Sequence, residues 1–400
     1  MTATDENRTH LAAAWVQHLR DGGTTPWQRW VQEPRDGAPA TGPVPGAAQL
    51  ELLRRLNLVS PLPDRVDHVL SRPGPGRGPL HLRLPDKAGV PVAPTNEVLR
   101  VAAGVLADLT AQLPPAGPAR RRRARRDPDL PSFVVDGLPL TAAETRARLA
   151  AAGLPHHRPR FSWLGARPDP GPDLVVVLAG PLDQALRESW SARVQRGAAR
   201  AWPRFLAHWA GRGHLPASAA LDRIVAYWAD RLGAENVYLV PLDGSADAVP
   251  LVAELLGAGL SSAQVPDAEV PVGEPVRLTP AMVDALRRVN VVLEFVCPEP
   301  DRAGRRTALV ELMRGDSGRP EPADLPQKRR RWVTTAAAGL VDRLEGSGCR
   351  VHGDLATLRL VAPPSGRRVG ETEVLDAMVR MIHRVDAALV GGRRNGRGGR

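Results

Sequence analysis

The chain has 400 residues, of which 43% are hydrophobic and 24% charged, and it carries a net charge of +11 at pH 7. This composition fits a soluble globular protein, with enough chain to bury a core in one large or two ordinary domains. No run approaches the roughly 18 apolar residues that span a bilayer, and the N-terminus lacks a signal-peptide pattern, so we expect a cytoplasmic protein with no membrane partner.

Residues 1–115 are predicted to form a mainly helical N-terminal region. Apolar residues recur at helical spacing in three segments: Leu11–Leu19, Ala47–Leu56 and Val98–Leu109. The third helix is predicted to start at Asn96, whose side chain can cap it. The connections at residues 34–45 and 72–94 are rich in Pro and Gly and are predicted to be loops. This region resembles no family that we can name.

A linker rich in Pro and Arg is predicted at residues 116–131, and a disordered Gly/Arg tail at residues 391–400. All but two of the 54 basic residues are Arg. Because this bias is typical of high-GC genomes of the actinobacterial type, Arg content alone indicates little. Clustered cations attract polyanions, so the linker contains candidate polyanion-binding residues, although a solvated linker is the alternative: Arg120, Arg121, Arg122, Arg123, Arg125 and Arg126.

Residues 132–390 alternate strand and helix patterns and are predicted to form one α/β domain. Ser132–Val135 reads as a strand, and Thr141 with Glu144 forms a capping box for a helix that ends at Ala152. The five apolar residues Leu174–Leu178 are typical of a strand buried on both faces of a parallel sheet. A later helix is predicted to begin at Pro181 and to be closed by Gly197. Further predicted helices are Leu221–Leu232, Pro280–Phe295, Trp332–Leu344 and Thr372–Leu389, with extended segments at Val237–Val240 and Arg350–His352.

Several short motifs accompany these elements in a fixed order: Gly180-Pro181, Thr279-Pro280-Ala281, Arg287-Arg288-Val289-Asn290, Trp332-Val333 and Gly353-Asp354-Leu355. Together with the strand and helix order, they resemble the carboxy-terminal two-thirds of bacterial sulfotransferase-like proteins, over about residues 130–390. The resemblance implies a parallel-sheet, P-loop-type sulfotransferase-like domain. It also implies sulfuryl transfer from the donor PAPS to a hydroxyl acceptor, either a small molecule or a carbohydrate.

Enzymes of this family hold the 5′-phosphosulfate of PAPS in a Gly-Leu-Pro-Lys-Thr-Gly-Thr loop that opens a helix, where backbone N–H groups bind the anion. The matching loop here starts at Gly137, and Gly137 and Thr141 fit the pattern as cofactor-binding residues. Leu140 stands where the family has Lys, and alanines replace the second Gly and the last Thr. A second stretch, residues 80–89, retains a cation in Lys87, but no helix follows it at once.

The family grips the 3′-phosphate of PAPS with an Arg just after the next strand and a Ser about two helical turns later. The strand here ends in Ala179-Gly180-Pro181, so that Arg is missing. Ser189 lies near the expected Ser, and Arg187 is the candidate replacement cation. The catalytic residues are unknown.

No other constellation of residues indicates a site. The two cysteines, Cys297 and Cys349, are too few for a disulfide framework, and no metal-ligand spacing surrounds them. His156-His157 lie in a predicted loop. Apart from PAPS as a donor, the sequence calls for no cofactor.

Three functions remain open on the sequence alone. The first is sulfuryl transfer from PAPS, impaired by the missing Lys and Arg. The second is a non-catalytic protein of the same fold that binds a protein partner or a polyanion. The third is a basic protein associated with nucleic acid, whose affinity would fall steeply with salt.

Overall fold

The structure is a computed structural model that describes residues 3–32, 46–72, 93–116, 131–154, 156, 172–243, 247–258, 266–314, 324–359 and 369–397. Its helices, in chain order, are α1 (Ala3–Arg20), α2 (Trp27–Trp30), α3 (Ala47–Val59), α4 (Val66–Leu70), α5 (Thr95–Thr110), α6 (Pro139–Ala151), α7 (Leu182–Gln195), α8 (Trp202–Arg212), α9 (Leu221–Leu232), α10 (Ala248–Leu255), α11 (Pro280–Val296), α12 (Glu299–Met313), α13 (Gln327–Glu345) and α14 (Glu371–Arg397). The strands are β1 (Phe133–Gly137), β2 (Leu174–Ala179), β3 (Val237–Pro241) and β4 (Arg350–Val351). Within these described ranges, no helix combines the length and apolarity that crossing a bilayer requires.

The chain divides into two compact units, each built from separate chain segments. The helical unit has the bounds Met1–Ala116, Ala281–Gly315 and Val369–Arg400, and the sheet unit has the bounds Gly117–Pro280 and Asp316–Arg368. This division differs from the predicted domains, which placed α11, α12 and α14 in the α/β part. Amphipathic helices pack wherever their apolar stripes find a complementary surface, and here these stripes complete the N-terminal helical core.

Helix α5 lies at the centre of the helical unit, with α3 and α14 packed against it. Its buried residues cover most of its circumference, as expected for a helix enclosed by others. Two polar contacts tie α14 to α3. Arg55 Nη1 lies 2.8 Å from Asp376 Oδ1, and His383 Nε2 lies 3.1 Å from the carbonyl oxygen of Leu56.

The sheet unit is built on a four-stranded sheet in the order β1-β2-β3-β4, with every neighbouring pair parallel. The predicted α/β class and the parallel pairing of the first two strands are confirmed. Strands β1 and β2 are buried almost throughout, because helices cover both faces of the sheet. Helices α6 and α10 pack on the face that carries Val135 and Val176, and α9 packs on the opposite face.

Two predicted helix starts are wrong. Helix α5 begins at Thr95 after Pro94, so Asn96 lies inside the helix and caps nothing. Helix α6 begins at Pro139, two residues before Thr141, and it has no capping box. Its N-terminal N–H groups are satisfied instead by a carboxylate from α7, described below.

The predicted C-terminal boundary is also wrong in part. Helix α14 continues to Arg397, whereas the sequence predicts a disordered tail from residue 391. A helix that is already nucleated needs no new nucleus to add residues, although each Gly in the extension costs about 1 kcal/mol relative to Ala.

Candidate functional site

The candidate site lies at the carboxyl end of β1, where the chain turns into α6. Gly137 closes the strand with φ +103°, and a Cβ placed there would lie 2.0 Å from the carbonyl oxygen of Leu178. Glycine is therefore required, because β1 and β2 approach too closely at this point for any side chain. The N–H of Gly137 donates to Asp136 Oδ1 (2.8 Å), and the N–H of Leu138 donates to the Leu178 oxygen (3.1 Å).

The N-terminus of α6 is occupied by the side chain of Glu188, which comes from α7. Glu188 Oε2 accepts hydrogen bonds from the backbone N–H groups of Leu140 (2.9 Å) and Thr141 (3.1 Å). Thr141 Oγ1 donates to Glu188 Oε1 (2.7 Å). Because only 3% of Glu188 is exposed, its carboxylate is an internal anion bound at a helix N-terminus, the position that favours negative charge.

All backbone donors of this turn are consumed within the protein. Pro139 has no N–H, and the N–H of Ala142 donates to the carbonyl oxygen of Leu138 (2.7 Å) as the first bond of the helix. With the four donors already described, each N–H from Gly137 to Ala142 has a partner. No donor of this loop remains for an external phosphate or sulfate group.

Arg277 supplies the cation of the site from a distant part of the chain. Its Nη2 donates to Thr141 Oγ1 (2.8 Å) and lies 3.4 Å from Glu188 Oε1. Its Nε donates to Glu144 Oε2 (2.8 Å). Burial lowers the pKa of Arg277, but Glu188 and Glu144 outweigh burial and the pKa is raised, so the guanidinium stays charged. Burial raises the pKa of Glu144, and Arg277 offsets this only in part.

A second buried polar group lies on the α9 face of β1. Asp136 Oδ2 accepts a hydrogen bond from Trp228 Nε1 (2.9 Å). Burial raises the pKa of Asp136, although the bonds from Trp228 and Gly137 oppose the shift. On the other face, Arg146 Nη1 donates to the carbonyl oxygen of Val135 (2.9 Å), and its Nη2 donates to Glu274 (3.1 Å). These groups fix the end of β1 and are enclosed by the protein.

The structure does not bring the four predicted cofactor-binding residues into one cluster. Gly137 and Thr141 lie in the turn just described. Arg187 forms an ion pair with Asp183 one turn earlier on α7, and the fully buried Ser189 lies 2.7 Å, Oγ to Oγ, from Ser218. Because successive helical residues are about 100° apart, Arg187 and Ser189 point to opposite sides of α7. The residue between them, Glu188, is the one that reaches the turn.

Sequence reasoning missed Glu188 and Arg277. Glu188 resembles a solvated helical residue, and no local pattern links Arg277 to Thr141, 136 positions earlier. Leu140 stands where the resembled family has Lys, and the structure buries this side chain, which is only 5% exposed. The candidate polyanion-binding run Arg120–Arg126 and the alternative loop at residues 80–89 lie outside the described residues.

The described sheet also lacks the usual ligand crevice of open α/β sheets. Such sheets bind ligands where the strand order reverses. The four described strands follow one another in chain order, so no reversal occurs among them. Over the described residues, no group of three or more His, Cys, Asp or Glu side chains is arranged to hold a metal ion.

Comparison with known proteins gives no family for the chain. No protein-family model, curated protein or solved structure matches it.

Proposed function

We propose that this chain is a non-catalytic, sulfotransferase-like protein whose role is to bind a polyanion. The carboxylate of Glu188 at the N-terminus of α6 carries the non-catalytic part of the proposal, and the net charge of +11 supports an anionic partner. In the family that the sequence resembles, this helix N-terminus is the place of the phosphosulfate of PAPS. Here the side chain of Glu188 occupies that place.

The energetics of the site disfavour an anionic donor. A unit negative charge placed about 4 Å from Glu188 is repelled by about 4 kcal/mol at an effective dielectric constant near 20, which weakens binding roughly a thousandfold. Arg277 offsets little of this, because its charge is already shared between Glu144 and Glu188. In-line transfer chemistry depends on electrostatic positioning of the transferred group, so the same repulsion opposes sulfuryl transfer.

Sulfuryl transfer from PAPS is the second candidate function, and Arg277 is the observation that favours it. Its guanidinium reaches Thr141 Oγ1 at 2.8 Å, where the cation of the family loop would be needed. The activity would require Glu188 to leave the helix N-terminus and release two N–H groups and Arg277 to the donor.

Calorimetric titration with the 3′,5′-bisphosphate product of PAPS tests the proposal. We expect no binding to the wild-type protein at millimolar ligand, and measurable binding to Glu188→Ala, which removes the carboxylate and frees the N–H groups of Leu140 and Thr141. Glu144→Ala is the matched control, because it removes a carboxylate from the same arginine but leaves the helix N-terminus filled by Glu188. Tight binding by the wild-type protein, or turnover with any hydroxyl acceptor, would contradict the proposal.

A further inference from the structure

The end of α7 and helix α8 carry a concentrated basic surface within the sheet unit. We define the α8 basic surface as Arg193, Arg200, Arg204, His208 and Arg212. The four arginines are exposed and His208 is half-buried. Arg204, His208 and Arg212 follow one another at intervals of four residues, so they form one ridge of α8 about 12 Å long. Arg200 continues the row just before the helix.

This surface has no compensating negative charge in its own segment. The sequence contains no Asp or Glu between Glu188 and Asp222. The side chains of Arg200, Arg204 and Arg212 form no ion pair with any described residue. Partial burial lowers the pKa of His208, and the neighbouring charges of Arg200 and Arg212 lower it further. Like charges kept together at a cost in repulsion indicate a surface shaped for an anion.

Packed aromatic rings of α7 and α8 support the basic surface on its buried side. The rings of Trp190, Trp202, Phe205 and Trp209 follow one another at centroid distances of 5.5, 5.9 and 6.3 Å. Trp190 Nε1 donates to the carbonyl oxygen of Arg200 (2.9 Å), which fixes the backbone at the start of the ridge. A fixed backbone lowers the entropy that binding must overcome.

We infer that the α8 basic surface binds the phosphate backbone of a double-stranded nucleic acid without reading its sequence. A duplex presents about one negative charge per 1.7 Å of its axis, so a 12 Å ridge faces about seven charges at regular spacing. Single strands are disfavoured, because the aromatic rings that could stack with bases are at most 8% exposed. The inference rests on the proposed function, since it names the polyanion.

Fluorescence anisotropy with a labelled DNA duplex, titrated with the full-length protein at rising KCl, tests this inference. The variant Arg204→Gln/Arg212→Gln removes two charges from the ridge. We expect its log–log salt slope to be smaller than the wild-type slope by about 1.8, from 0.9 per phosphate contact. The affinity difference between the two proteins should then narrow roughly 12-fold between 50 and 200 mM salt.

The matched control is Arg100→Gln/Arg231→Gln, which removes two exposed arginines from α5 and α9, with the same change in net charge. We expect the control to keep the wild-type slope. Equal losses in both double variants would overturn the inference in favour of a general charge effect. Loss of binding only when the arginines of residues 120–126 are replaced, or binding of a sulfated oligosaccharide but no duplex, would also overturn it. Because the assay contains no PAPS, its outcome is independent of the Glu188 experiment.

Discussion

Replacing Glu188 with Ala removes the internal anion from the start of α6. The backbone N–H groups of Leu140 and Thr141 then lose their partner, and Arg277 loses one of its two carboxylates. Hydrogen bonds to a charged group contribute about 1.5–3 kcal/mol each, and breaking a buried ion pair costs about 3–5 kcal/mol. These contributions overlap, so we expect the free energy of unfolding to fall by about 3–5 kcal/mol.

Glu188→Gln removes the negative charge of the side chain but keeps its size and shape. Its amide oxygen can still accept from both N–H groups, so the loss is confined to the interaction of charge with the helix dipole and Arg277. We expect a cost of about 1–2 kcal/mol for this variant, the range for a partly buried charge at a helix end.

The vacant helix N-terminus of Glu188→Ala should acquire an affinity for oxyanions. Urea unfolding in sodium sulfate and in sodium chloride of equal ionic strength measures this, with the wild-type protein correcting for the general effect of sulfate. Sulfate at a hundred times its dissociation constant would restore about 2.7 kcal/mol. If Glu188→Ala unfolds within about 1 kcal/mol of wild type, or shows no recovery specific to sulfate, the reasoning about this carboxylate is refuted.

Three further predictions concern the same end of the sheet. Gly137→Ala should lower the free energy of unfolding in urea by at least about 4 kcal/mol, because its Cβ would meet a backbone oxygen at 2.0 Å. The control Gly153→Ala, also at positive φ but in open space, should lower it by only about 1–2 kcal/mol. Equal losses in the two variants would argue against the close approach of β1 and β2. Burial raises the pKa of Asp136 above its ordinary value of 3.8, so its contribution to stability is present below that value and declines as pH rises through the folded-state pKa. The stability advantage of wild type over Asp136→Asn should therefore shrink as the pH rises above about 4, and a constant or growing difference in urea titrations would contradict this. Arg277→Gln should cost about 1 kcal/mol, less than Glu188→Ala, because the arginine is one-third exposed and solvent screens its ion pairs; a larger loss would make the cation the main support of the turn.

Local pattern was sufficient to predict the framework of the sheet unit. The apolar runs of β1 and β2, and the amphipathic stripes of α9 and α13, are read directly from spacing. Helix α8 was not predicted, although Trp202, Phe205, Leu206 and Trp209 have helical spacing. Pro203 is acceptable there because it lies in the first turn, where its missing N–H costs nothing.

The candidate site was less accessible to sequence reasoning, because long-range contacts decide it. The predicted capping box treated Thr141 and Glu144 as partners of their own backbone. In the structure, the Thr141 hydroxyl donates to Glu188, and Glu144 accepts from Arg277. Glycine at position 137 was predictable as a turn, but the identity of the anion facing it depended on how α7 packs against α6.

The segment arrangement of the helical unit has a consequence for synthesis in the cell. Both Arg55–Asp376 and Arg65–Asp386 join residues 321 positions apart. The ribosome releases the N-terminal helices first, yet their core lacks α14 until nearly the whole chain has emerged. At about 5–20 residues per second, the 252 residues between Ala116 and Val369 take on the order of 10–50 s. During that interval the nascent helices expose the apolar sides that α14 later covers, so this protein should depend on chaperones early in its translation.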